Sequence, residues 1–114
     1  MSKYGDWISV TIASGGTSSD QINLGGDYYA VQVYNPAIDS ATITVKPTYE
    51  TGGTVVQAYN ISGGSDAVNT TTARATAGMN LFNEICAQYI KIVVGAAQTS
   101  GAVTFKVRGI FPLQ

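Results

Sequence analysis

Apolar and polar residues alternate with period two in five segments of the chain. In residues 7–13, Ile8, Val10 and Ile12 share one phase, while Trp7, Ser9 and Thr11 share the other. Residues 41–46, 88–94 and 103–108 repeat the alternation, and 28–34 follows it with a more aromatic polar phase. Successive side chains of a strand point to opposite faces of a sheet, so each segment predicts a strand with one dry face and one wet face.

Turn signals divide these strands. The first, 6–13, is closed by Ser14-Gly15-Gly16-Thr17. A short strand over 21–24 puts Ile22 and Leu24 inward, and Gly25-Gly26-Asp27 is expected to turn the chain into 28–34, with Tyr29, Val31 and Val33 as the core face. Asn35-Pro36 ends that run, because proline has no amide proton for a ladder and biases its predecessor away from helix. Pro47 within the next strand, 41–49, predicts an edge position or a bulge. Gly52-Gly53 followed by 55–60 completes an expected hairpin, and 61–78, small, polar and Thr-rich, reads as loop or irregular edge structure. A strand begins near Met79, and the spacing of Leu81, Phe82, Ile85 and Cys86 predicts one helical turn over 83–88. The last two strands are joined by 95–101, too long for a two-residue hairpin turn.

Seven or eight short strands with turns between them predict an all-β chain folded as an antiparallel β-sandwich, either jelly-roll-like or immunoglobulin-like. The pair of cysteines flanking a tryptophan that marks the immunoglobulin case is absent, which favours the jelly-roll-like form. At 114 residues the chain is expected to be a single domain, 1–114, with short arms at about 1–6 and 111–114 outside the clear strands.

Charge changes the picture most. Only 11% of the residues are charged, against roughly 25% in typical globular chains. Thr, Ser, Asn and Gln supply the wet faces instead. The net charge of −1 and the scatter of the six basic residues leave no electrostatic footprint for nucleic acid or an anionic membrane. So weakly charged a surface suits a protein covered in its working state by copies of itself or by a partner; a monomer solvated by hydroxyls and amides is the alternative. No stretch approaches the roughly 20 apolar residues of a membrane helix, and MSKYGDW lacks a signal-peptide core, so synthesis and folding in a cytoplasm are expected. The single cysteine, Cys86, forms no intrachain disulfide and is expected to be a small buried apolar residue. Asn60-Ile61-Ser62 and Asn69-Thr70-Thr71 match the glycosylation sequon but follow from a Thr/Ser/Asn-rich composition.

The chemical inventory is thin. With no histidine, Ser-His-Asp and Cys-His nucleophile systems and imidazole metal sites are excluded. Seven carboxylates remain: Asp6, Asp20, Asp27, Asp39, Asp66, Glu50 and Glu84. Most of them neighbour Gly, Ser or Asn, where turn geometry explains them better than a paired acid–base site. Cys86 has no candidate base near it in sequence except Glu84, a carboxylate and so a poor activator of a thiol. Asp20, Asn23 and Asp27, and then Asp66 and Asn69, flank loops in a way that permits calcium, yet they lack EF-hand or RTX spacing and read as Asx turns. No catalytic residue, metal ligand or cofactor-binding residue is expected.

Aromatics are the remaining signal. Among seven tyrosines and one tryptophan, period two puts Trp7, Tyr28, Tyr34 and Tyr89 on faces opposite Val/Ile rows. Outward rings anchor protein interfaces, or stack on sugars, or simply cover strand faces. The interface reading makes these four the candidate site residues, with a carbohydrate platform as its alternative.

Three stretches carry a family resemblance: WISVTIASGGTSSDQINLGG (7–26), QYIKIVVGAAQ (88–98) and FKVRG (105–109). They resemble small virion proteins of tailed phages, of the capsid decoration (cement) type and related head-surface or fibre modules with a β-sandwich fold. The resemblance implies a non-enzymatic structural protein that binds and stabilises the head exterior. Its implied partners are the major capsid protein and copies of itself, as a homo-oligomer, with no nucleic acid, membrane or cofactor. It implies localisation on the capsid surface after synthesis in the host cytoplasm. The terminal arms are the expected contact segments, and exposed sheet edges offer β-augmentation.

Overall fold

The computed structural model describes residues 4–48, 56, 59–60, 67–68, 70–83, 85 and 87–110; of Asp27, Tyr59, Asn60, Ala67 and Val68 it describes the backbone. The strands are β1 (Ile8–Ile12), β2 (Ile22–Tyr28), β3 (Ala30–Asn35), β4 (Ile43–Thr48), β5 (Tyr59–Asn60), β6 (Ala67–Val68), β7 (Gly78–Phe82), β8 (Ala87–Val94) and β9 (Val103–Ile110). Seven of them form two antiparallel sheets: a four-stranded sheet in the order β1-β9-β3-β7 and a three-stranded sheet in the order β2-β8-β4. β5 and β6 pair with each other, antiparallel.

The register shows why this is a jelly roll. Ile8 lies opposite Val107, Ile22 opposite Ile90, Val31 opposite Phe82, and Thr44 opposite Thr70. The two halves of the chain therefore run antiparallel as one long nested ribbon. Rolling that ribbon adds the β3–β9 and β4–β8 ladders and closes the two sheets. The chain changes sheet at each step from β1 to β4, and again at β8 and β9.

The alternation is realised as expected. Val10, Ile12, Val31, Val33, Phe105 and Val107 from one sheet face Ile22, Leu24, Ile43, Val45, Ile90 and Ile92 from the other, all buried. Each such side chain removed from water contributes about 1.5–3 kcal/mol, and this apolar layer holds the sheets together. Pro47 lies in β4, an edge strand of its sheet, as its missing amide requires. Residues 70–74 run along β4 through the Thr44–Thr70 and Ala41–Arg74 bridges, so this part of 61–78 is irregular edge structure.

Three expectations are corrected. Gly25-Gly26 is no hairpin turn: both lie within β2, where the register against β8 shifts between Asn23 and Tyr28. Gly25 adopts φ +87°, a conformation that glycine reaches without a Cβ clash, and the bulge bends the strand toward the corner. The corner falls at Tyr29, which is therefore exposed, while Ala30 beside it is buried. The helical turn over 83–88 is also replaced, since Ala87 and Gln88 already belong to β8 and the Ile85 amide donates to the Tyr29 carbonyl (2.9 Å). Apolar residues on both sides of a sheet-switching corner reproduce helical spacing without a helix. The hairpin over 52–60 lies mostly outside the described residues, as do Cys86, Glu84, Asp66 and Asn69; the Val56 amide donates to the Pro47 carbonyl (3.0 Å).

Of the N-terminal arm, Tyr4 and Gly5 are not free. Tyr4 bridges Ile110, and the Gly5 amide donates to the Gly109 carbonyl (2.9 Å), extending the β1–β9 side of the sheet. Residues 1–3 and 111–114 lie outside the described residues.

Candidate interaction face

The outer face of the four-stranded sheet is assembled by register. Ser9, Lys106, Tyr34 and Met79 form one row across β1, β9, β3 and β7. Arg108, Gln32 and Leu81 form the next, continued by Trp7. Thr11 and Thr104 form a third, their hydroxyls 2.9 Å apart.

This face is rich in exposed carbon. Trp7 is 41% exposed, Met79 53% and Leu81 59%. Trp7, Tyr34, Met79 and Lys106 surround a shallow depression of about 480 Å³. Arg108 packs its guanidinium against the rings of Tyr4 and Trp7, at 4.4 and 4.3 Å from their centroids, and donates through Nε to Gln32 Oε1 (2.8 Å). Stacking and the hydrogen bond hold Trp7 in place with its ring still accessible. Lys106 reaches Ser9 Oγ at 3.5 Å.

The four sequence-predicted aromatics separate. Trp7 and Tyr34 meet on this face. Tyr89 is on the outer face of the other sheet, opposite Asn23 and Thr48. Tyr28 turns inward: it is half-buried, packs against the core and lies over Gly109, where an added Cβ would collide with its ring. A bulge in β2 breaks the alternation that had assigned Tyr28 outward. Met79, Leu81, Lys106, Arg108 and Tyr4 are the members that sequence reasoning missed. The signal for two of them was legible: in Gly78–Phe82 apolar residues occupy both phases, so one phase had to face out.

Elsewhere polar groups are consumed internally. Asn23 Oδ1 accepts from the Gly25 amide (2.8 Å) and from Gln88 Nε2 (3.0 Å), so it closes an Asx turn. Buried Asn80 donates through Nδ2 to Asn35 Oδ1 (2.9 Å) and accepts from Arg74 Nε (3.1 Å), tying 74–76 to β3 and β7. Buried Gln98 accepts from the Asp39 amide at Oε1 (2.8 Å). Asp39 accepts from Ser100 Oγ (2.6 Å), the Thr99 amide (2.6 Å) and Thr99 Oγ1 (3.0 Å). These donors, Ser100 first, lower its pKa from 3.8 to about 2. Among the described residues no three His, Cys, Asp or Glu side chains converge on a point that a metal ion could occupy.

No family model matches the chain, and no curated protein matches it either. Among solved structures the chain is similar to the SPBc2 prophage-derived protein YomS, known from its crystal structure. The two share 16% sequence identity over 96% of each chain with a TM-score of 0.55, a likeness of fold along the full length.

Proposed function

We propose that this chain is a non-enzymatic structural protein of a phage virion, a capsid decoration protein that binds the outside of the head and stabilises it. The observation that carries the reading is the outer face of the four-stranded sheet, where Trp7, Met79 and Leu81 are exposed, half-buried Tyr34 joins Trp7 and Met79 around one depression, and Arg108 braces Trp7. Aromatic rings and methionine on a rigid sheet, with an arginine at their side, form the composition of an interface core. The fold shared with a prophage-derived protein supports the phage assignment. The low charge of the chain supports a surface that is covered in use.

A carbohydrate platform fits this face less well. Sugars need several polar groups converging around the stacking ring; here the depression beside Trp7 and Tyr34 is completed by the Met79 thioether and the Lys106 ammonium, and the guanidinium beside Trp7 is already stacked on it and bonded to Gln32. The test is co-sedimentation with heads that lack their decoration protein. The double variant Trp7→Ala/Tyr34→Ala is expected to bind roughly ten- to a hundredfold more weakly, and Tyr89→Ala to bind as the parent does. Unchanged binding by the double variant, or saturable sugar binding lost on Trp7→Ala, sinks the decoration reading.

A further inference from the structure

The four-stranded sheet ends at β7, and no described residue pairs with the outer edge of that strand. Sheet edges are ordinarily blunted by bulges, proline, charge or a covering segment. The two edges of the three-stranded sheet follow that rule. β2 carries a bulge at Gly25-Gly26, and β4 contains Pro47 and is flanked by Thr70 and Arg74. β1, the far edge of the four-stranded sheet, is also regular and uncharged, but its outward side chains Ser9 and Thr11 are polar and bond to Lys106 and Thr104, so it offers no apolar row to a second copy.

β7 has none of these devices. Its sequence, Gly-Met-Asn-Leu-Phe, is uncharged, free of proline and in unbroken five-residue register with β3. Its two outward side chains, Met79 and Leu81, are among the most exposed large apolar groups of the described chain. Asn80 does not cap the edge, since its amide is committed inward to Asn35 and Arg74.

The strand is also complementary to itself. In a two-fold antiparallel pairing centred on Asn80, Met79 of one copy lies opposite Leu81 of the other, apolar against apolar. Phe82 lies opposite Gly78, so the bulkiest inward side chain meets the one position with no side chain. We propose that β7 is the seam of a homodimer, in which two copies pair edge to edge about Asn80 and join their four-stranded sheets into one. The outer rows through Tyr34–Met79 and Gln32–Leu81 then run on without interruption into the second copy, and two Trp7 faces point the same way. A five-residue seam is short, so the dimer is concentration-dependent, and a surface that gathers many copies reinforces it.

Sedimentation velocity across a concentration series tests this. The parent is expected to move from monomer to dimer as concentration rises. Leu81→Glu, a change at an exposed site, is expected to raise the dimer dissociation constant roughly tenfold or more by setting a carboxylate against methionine. The double variant Met79→Lys/Leu81→Glu aligns opposite charges twice across the axis and is expected to restore dimerisation. In a Cys86→Ser background, Met79→Cys chains mixed with Leu81→Cys chains are expected to cross-link faster than either alone. A parent that is monomeric at every concentration would overturn the seam. So would Leu81→Glu dimerising like the parent, a double variant as weak as the single, or cross-linking no faster in the mixture. The seam does not rest on the virion reading: a monomer that binds heads overturns the seam alone, and a dimer with no affinity for heads overturns the virion reading alone.

Discussion

The outer faces of the two sheets arise from the same alternation and become opposite kinds of surface. On the three-stranded sheet the polar groups answer one another sideways. Thr44 meets the Thr70 hydroxyl at 2.8 Å, and Gln21 Nε2 donates to Thr48 at 3.1 Å, so both threonines are buried within their own face. Lys46 and Lys91 lie directly opposite each other on adjacent strands, and among the described residues neither is joined to a carboxylate. On the four-stranded sheet the corresponding positions hold half-buried Tyr34 and the exposed side chains of Met79 and Leu81, which leave most of their carbon surface open to solvent. A face that satisfies itself laterally has little to gain from contact, whereas exposed carbon is stabilised only by being covered. The asymmetry supports the four-stranded sheet as the face proposed for contact.

The largest expected effect within the folded molecule follows from Arg108→Ala. Removing the guanidinium frees Trp7 and Tyr4 and leaves Gln32 without its donor, which is expected to cost about 1–2 kcal/mol in thermal or chemical unfolding, with a shift in Trp7 fluorescence. An unchanged spectrum would mean that Trp7 is not braced by this contact. A smaller effect of opposite sign is expected on the other face. Lys91→Glu turns a like-charge cross-strand pair into an attractive one and is expected to stabilise by about 0.5 kcal/mol, a gain lost at high salt. Lys106→Glu, which faces Ser9 and Tyr34 rather than another lysine, is expected to bring no such gain. If the two glutamate variants behave alike, the electrostatic contrast between the faces fails.

The smallest effect belongs to neither face. Asp39 is held ionised by Ser100 and Thr99, so its folded pKa lies below the unfolded one. Its contribution is complete above the unfolded value of 3.8 and is lost as the pH falls through about 2. Asp39→Asn is expected to lower the melting temperature slightly at neutral pH and to converge with the parent over that acid window. A difference that persists at the acid end would assign the effect to the amide's geometry rather than to charge.

Much of the fold was legible because period two survives wherever a strand has one buried face. Val10, Ile12, Val31, Val33, Ile90, Ile92, Phe105 and Val107 are all placed by it. What was not legible lies at the corners. The irregularity in β2, where the strand advances five residues against two of β8, inverts the phase at Tyr28; the corner puts Tyr29 outside, and a turn between sheets imitates helical spacing near Ile85. Glycine pairs mark corners as readily as hairpins, and only long-range pairing distinguishes them. The candidate face was half legible. Trp7 and Tyr34 follow from alternation, but Met79 and Leu81 join them only because β7 pairs with β3, a neighbour set by the rolled ribbon and not by local sequence.

That nested ribbon also dictates when the molecule can exist. Among the described strands β1 pairs with β9, which is synthesised about ninety residues after it, and β2 waits for β8. Loop closure is least costly near the bend and grows outward, so zipping from the middle toward the two ends is the economical order. A nascent chain lacking residues 103–110 leaves the buried edge of β1 and one side of β3 open. Such a chain exposes the strands that the finished sandwich hides, and its release before β9 emerges is the moment of greatest risk of misassembly.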